Sequence, residues 1–240
     1  MRQSPQDRIY VALDTPDIEK AETWTGVLKG LVGGMKVGKE FFTAQGPAGV
    51  RRISELGMPV FLDLKFHDIP NTVAGAVRSA IPLGLKILNV HASGGKTMME
   101  TAINTAKEEA ANQGVDRPLV FAVTVLTSMD RSDLAGIGVD AEPIDQVKRL
   151  ARLTQDSGLD GVVCSAAEIE ALRAECGPDF KLLTPGIRPA WSVAGDQKRV
   201  VTPADAVKRG SDFLVIGRPI TGADDPAEAA KRITDELASA

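Results

Sequence analysis

Asp63, Lys65 and Asp68 stand close together in the stretch Asp63-Leu64-Lys65-Phe66-His67-Asp68-Ile69-Pro70-Asn71-Thr72. An ammonium flanked by two carboxylates can keep a proton available and act on charge that develops beside it. The stretch follows Pro59-Val60-Phe61-Leu62, an apolar run that reads as a buried strand. Side chains alternate along a strand, so Asp63 and Lys65 share one face and Leu62 and Leu64 the other. Asp68 falls just past the strand end, where the chain turns through a loop towards a helix. Charged groups gathered at the C-terminal edge of a sheet are rarely buried without a reason. For Asp-x-Lys alone, a salt-bridge cluster that plugs a barrel mouth is the plainer reading.

Such groups need a scaffold that aims them at one point. Short β-branched apolar runs alternate with longer helical patterns. Strands are predicted over residues 9–13, 35–37, 60–65, 87–91, 119–125, 161–164, 181–184 and 213–216. Helices are predicted over 18–29, 46–56, 73–81, 95–113, 143–157, 167–175, 203–209 and 226–238. Asp17, Ser93, Ser165 and Thr202 are candidate caps, and Pro203 and Pro226 fall in first turns. Gly57, Gly114, Gly158, Gly177 and Gly210 mark helix ends.

Eight strand–helix units in 240 residues is the repeat of an α/β protein of the (β/α)8 TIM barrel type. Residues 1–240 read as one such domain. A doubly wound open sheet is the alternative, but no Gly-x-Gly-x-x-Gly follows the first strand. Barrel active sites lie at the C-terminal strand ends. Asp14, Lys36, Lys65, His91, Thr127, Pro185 and Gly217 all fall at or just past such an end, a clustering that core packing does not explain.

The chain is 43% hydrophobic and 25% charged, enough for one large core. A net charge of -4 and a pI of about 5.3 give no bulk attraction to nucleic acid or to an anionic membrane. Neither is an expected partner, and an anionic substrate needs a local basic pocket. No run is long enough to span a bilayer and the N-terminus has no apolar signal region, so a soluble cytoplasmic protein is expected. Cys164 and Cys176 lack metal-type spacing and read as reduced packing residues. His67 and His91 end neighbouring strands without further ligands of suitable spacing, so they read as hydrogen-bonding support and no metal site is expected.

The Asp-x-Lys-x-x-Asp-Ile-Pro-Asn-Thr segment closely resembles the signature of the orotidine 5'-phosphate decarboxylase family, bacterial type. Five further segments resemble that family in its order: Ile9-Tyr10-Val11-Ala12-Leu13-Asp14, Met35-Lys36-Val37-Gly38, Val125-Leu126-Thr127-Ser128, Thr184-Pro185-Gly186-Ile187-Arg188-Pro189 and Val215-Ile216-Gly217-Arg218-Pro219. The core motif alone also occurs in sister families, whereas the whole set is highly specific.

The resemblance implies decarboxylation of orotidine 5'-phosphate to UMP and CO2, the last step of de novo pyrimidine nucleotide synthesis. It implies a nucleotide substrate and neither cofactor nor metal. Loss of CO2 leaves a carbanion at C6 of the pyrimidine, so a cation must stand close by and then donate a proton. By the resemblance Lys65 has that role, and Asp63 faces the departing carboxylate. Lys36 orients Asp63 and contacts the ribose, and Asp14 binds ribose hydroxyls. Thr127 reads the pyrimidine edge, and Arg188, Gln197, Gly217 and Arg218 hold the phosphate. Asp68, Ile69 and Thr72 would reach into the neighbouring subunit of a homodimer and complete its site.

Plainer readings exist for single residues, such as helix capping for Asp14 and surface lysine or arginine for Lys36 and Arg218. Two other functions compete. A Mg2+-dependent keto-gulonate or hexulose phosphate enzyme shares Asp-x-Lys-x-x-Asp, but carries an acidic residue where this chain has Lys36. A non-catalytic phosphate-binding barrel would keep Gly217-Arg218 but has no need of the Asp63–Lys65–Asp68 cluster.

Overall fold

The computed structural model of the protein describes residues 4–192 and 201–239. Eight parallel strands close into a barrel in chain order: β1 (Ile9–Ala12), β2 (Gly34–Gly38), β3 (Val60–Phe66), β4 (Leu85–His91), β5 (Leu119–Val123), β6 (Gly161–Val163), β7 (Lys181–Pro185) and β8 (Phe213–Ile216). Leu214 of β8 pairs with Ile9 of β1, so no strand edge is left open. Parallel neighbours need long crossovers, and helices supply them. These are α1 (Ile18–Leu28), α2 (Lys39–Glu55), α3 (Pro70–Ala80), α4 (Lys96–Gln113), α5 (Arg131–Gly136), α6 (Pro143–Asp156), α7 (Ile169–Cys176), α8 (Pro203–Arg209), α9 (Arg218–Thr221) and α10 (Pro226–Ala238). Among the described residues no helix is long and apolar enough to cross a membrane.

Strand alternation sorts the core into two layers. Val11, Val37, Leu62, Leu88, Val162 and Leu214 pack outwards with the helices. Tyr10, Phe61, Ile87, Phe121, Leu183 and Phe213 fill the barrel. Inside it, Tyr10 stands edge-on to Phe61 and Phe213, with centroids 6.3 and 5.8 Å apart, and Phe121 meets Phe213 at 6.0 Å. Gly161 leaves the space, since a Cβ there would lie 2.7 Å from a Phe121 ring carbon. Beyond β1 and along β3 and β4 the interior turns polar two residues further on, with Asp14 after Ala12, Asp63 after Phe61 and Asn89 after Ile87.

The opposite end of the barrel carries ion pairs of a different kind. Arg117 binds Asp160 at 2.7 Å and Arg173 binds Asp212 at 2.8 Å. Each of these carboxylates also accepts a backbone N–H, from Val120 and Leu182 respectively. They join strand starts to neighbouring loops and helices, and so tie the base of the barrel together.

The predicted strands match within two residues at each end. The helices differ more. α2 starts at Lys39, directly after β2, and is broken at Gly46, which has φ 62° and ψ −166°. The Gly46-Pro47 pair opens only the second piece; the first spans about two turns and shows too little periodicity to stand out. α5 and α9 are unpredicted because both are shorter than the helical pattern needs, although Asp130 and Asp133 form a capping box at the start of α5. Asp17 and Thr202 cap as predicted. Ser93 and Ser165 do not: α4 starts after Gly95, and the Ser165 N–H donates to Glu168 Oε2 at 2.8 Å.

The aromatic floor supports everything above it. Phe121 is fully buried, so Phe121→Ala is expected to cost about 3–5 kcal/mol in denaturant unfolding. A loss under about 1 kcal/mol would mean that the interior cluster collapses around the gap and carries little of the stability.

Candidate active site

β3 does not run regularly to its end. Its register with β4 passes from Leu62 opposite Leu88 directly to Phe66 opposite Val90. Asp63, Leu64 and Lys65 therefore bulge opposite Asn89. Lys65 has φ 57°, the only positive φ outside glycine among the described residues. That conformation costs a residue with a side chain on the order of 1–3 kcal/mol. In return it brings Lys65 Nζ to 2.5 Å from Asp63 Oδ1. The two side chains meet as strand alternation predicts, but through a bulge and not along a straight strand.

Lys36 projects from β2 into the same place. Its Nζ lies 3.1 Å from Asp14 Oδ1 and 3.8 Å from Asp63 Oδ2. Four charges thus alternate as Asp14–Lys36–Asp63–Lys65 across the ends of three strands. Lys36 is only 8% exposed, so it is not a solvated surface lysine. Gly38, two residues on and on the same face, leaves room for it: a Cβ there would lie 2.9 Å from Lys36 Nζ. Burial pushes the Asp63 carboxyl up, but Lys36, Lys65 and hydrogen bonds from Lys65 and Asn89 outweigh it and hold the group below its ordinary value. Asp63 stays a carboxylate.

These residues line a cavity of about 350 Å³, within the range of ligand pockets. Asp14, Lys36, Asp63, Lys65, Thr127, Arg188, Gly217 and Arg218 all reach it, over an apolar floor that includes Ala12, Phe61, Val163, Leu183 and Val215. Arg188 is 7% exposed, and its N–H donates to the Val201 carbonyl at 3.2 Å. Arg218 opens α9 just after Gly217 and is exposed. The pocket therefore joins an ammonium–carboxylate array to two guanidiniums, an arrangement suited to a small ligand bearing an anionic group.

Asp68 and Thr72 stand apart. Both are exposed and neither lines the cavity. Asp68 Oδ1 accepts the Ile69 N–H at 2.7 Å, and Ile69 is 67% exposed. Gln197 lies outside the described residues. Asn89, which sequence reasoning passed over, belongs to the array: its Oδ1 accepts the Lys65 N–H at 2.8 Å and its Nδ2 donates to Asp63 Oδ1 at 2.7 Å. The available signal was a lone amide at an inward position of an apolar strand, in Ile87-Leu88-Asn89-Val90-His91. The His67 and His91 rings lie with centroids 5.5 Å apart, tilted by 37° to one another. No cluster of three or more metal-ligating side chains forms among the described residues.

A sequence profile of the orotidine 5'-phosphate decarboxylase / HUMPS family matches residues 7–233. The chain is 58% identical to an orotidine 5'-phosphate decarboxylase of Paramagnetospirillum magneticum, over 95% of this chain and 97% of that one. It is 56% identical to the protein of that name from Rhodospirillum rubrum, over 99% and 96%. A solved orotidine 5'-phosphate decarboxylase from Lactobacillus acidophilus superposes with a TM-score of 0.85 at 36% identity, covering 95% of this chain and 98% of that chain.

Burial, aided by His67, Lys65 and Lys39 and opposed by Asp63, lowers the His91 pKa from 6.5 to about 4. Between those two pH values the unfolded chain holds a proton on this histidine that the folded chain lacks. Its contribution to stability is present above pH 6.5, falls as the pH drops through the window and levels off below about 4. His91→Gln is expected to flatten that part of a plot of Tm against pH. An unchanged slope would assign it to other groups.

Proposed function

The chain belongs to the orotidine 5'-phosphate decarboxylase / HUMPS family, and from that membership we propose that it is a carbon–carbon lyase converting orotidine 5'-phosphate to UMP and CO2, the last step of de novo pyrimidine nucleotide synthesis. The observation that carries this choice within the family is the alternating array with Lys36 as its second member. A divalent-cation sugar-phosphate enzyme of the sister families needs an acidic ligand there, and an ammonium repels the metal. The reaction needs no cofactor.

In the proposed mechanism the bond from C6 to the carboxylate carbon breaks. Its electron pair stays on C6, and CO2 leaves. Lys65 stabilises the developing charge and gives a proton from Nζ to C6; solvent then reprotonates the amine. Asp63 faces the substrate carboxylate, and their repulsion is relieved as CO2 departs. Lys36 fixes Asp63 and, with Asp14, meets the ribose. Thr127 faces the pyrimidine. Arg188, Gln197, the Gly217 N–H and Arg218 take the phosphate, whose binding energy helps to hold the ring against the array. Enzymes lower barriers by up to roughly 23 kcal/mol, and charges fixed before the reaction are the large resource at this site.

Asp68, Ile69 and Thr72 are assigned to the neighbouring site of a homodimer. Their exposure, and their absence from the lining of their own chain's cavity, support that assignment. Two-fold symmetry would make the exchange reciprocal.

Lys65→Ala is expected to lower kcat by many orders of magnitude while nucleotide binding persists. A variant with more than about a tenth of the wild-type kcat, a barrier change below about 1.4 kcal/mol, would remove Lys65 from the central role. The exchange of Asp68 is tested by complementation. Lys65→Ala and Asp68→Ala homodimers should each be nearly inactive. Refolded together in equal amounts, they should regain roughly a quarter of wild-type activity, because half the dimers then carry one intact site. Proven heterodimers without recovery would return Asp68 to its own subunit.

A further inference from the structure

Asn89 stands opposite the bulge of β3 and is 1% exposed. Its backbone pairs with Phe121 on the other side, so β5 fixes its position. The bulge takes the Lys65 N–H out of the β3–β4 ladder, and a buried donor left alone costs roughly 1–3 kcal/mol. The Asn89 carboxamide oxygen accepts that N–H at 2.8 Å, and its nitrogen donates to Asp63 Oδ1 at 2.7 Å. The orientation of the amide is forced, because a backbone N–H must meet the oxygen and a carboxylate must meet the nitrogen.

From this geometry we propose that Asn89 is a positioning residue. Its side chain holds Lys65 in the left-handed conformation and sets the contact between Asp63 and Lys65. The role rests on the proposed decarboxylation for its catalytic meaning, and no substrate contact is involved. One rigid planar group bridges the main chain of the proton donor and the side chain of the facing carboxylate. An aspartate at 89 could accept the N–H but would set a second carboxylate against Asp63. A leucine has similar volume and neither hydrogen bond. A serine keeps one oxygen on a shorter arm and can satisfy one partner at a time.

The test compares wild type, Asn89→Leu and Asn89→Ser in turnover of orotidine 5'-phosphate, in binding of UMP and in thermal unfolding. Wild-type turnover settles the proposed function separately: if wild type is inactive on this substrate, that reading fails. With wild type active, Asn89→Leu is expected to lose on the order of 100-fold in kcat, the scale of a misplaced reacting group. KM and the Kd for UMP should stay within about three-fold, because the ribose and phosphate contacts are untouched. Asn89→Ser should fall between the two, with kcat on the order of 10-fold below wild type, and it decides the question if the leucine variant does not fold. Either folded variant with kcat within three-fold of wild type would overturn the proposal. So would a loss shared equally by kcat and UMP binding, or failure of both variants to fold, since each makes Asn89 a residue of the fold and not of the site.

Discussion

One partly buried carboxylate holds together the charged array at the mouth of this barrel. Asp63 lies between two lysines, and desolvating any one of these charges alone would be prohibitive. Together they compensate one another, and Asn89 supplies a further donor. The array cannot rearrange by halves, because loss of a partner leaves a charge unpaired away from water. A site built this way is stiff, and stiffness is what electrostatic stabilisation of a short-lived charge requires.

The barrel divides its labour between its two ends. At the strand starts, Arg117–Asp160 and Arg173–Asp212 also bind strand N–H groups and serve cohesion. At the strand ends, the charged groups point into a cavity, and the backbone accepts strain at Lys65 to bring them together. The interior aromatic layer separates the ends. Strain on the upper rim is tolerable because the closed sheet beneath it is held by parallel pairing on both sides of every strand.

Much of this was legible in the chain. Alternation, glycine stops and strand–helix spacing were enough for a (β/α)8 barrel, and strand-end position nominated Asp14, Lys36, Lys65, His91, Thr127, Pro185 and Gly217, of which all but His91 line the cavity; Asp63, Arg188 and Arg218, named from the motif and the family resemblance, line it too. Three kinds of feature were not. The bulge at Lys65 depends on pairing with another strand, and no local pattern announces a left-handed lysine. Asn89 reads as one amide in an apolar run until the register sets it against Lys65 and Asp63. The start of α2 and the short α5 and α9 carry too few turns for periodicity to reveal them. Asp68 shows the complementary limit: the motif singles it out, yet one chain leaves it outside its own cavity.

In the proposed decarboxylation fixed side-chain charges act without a metal or cofactor. This is tested most directly by following the ultraviolet absorbance of orotidine 5'-phosphate with wild-type protein dialysed against a chelator and assayed in excess EDTA. Full conversion to UMP is expected, at a rate unchanged by added Mg2+. Turnover that vanishes with the chelator and returns with Mg2+ would contradict it, and so would tight binding of the nucleotide without conversion.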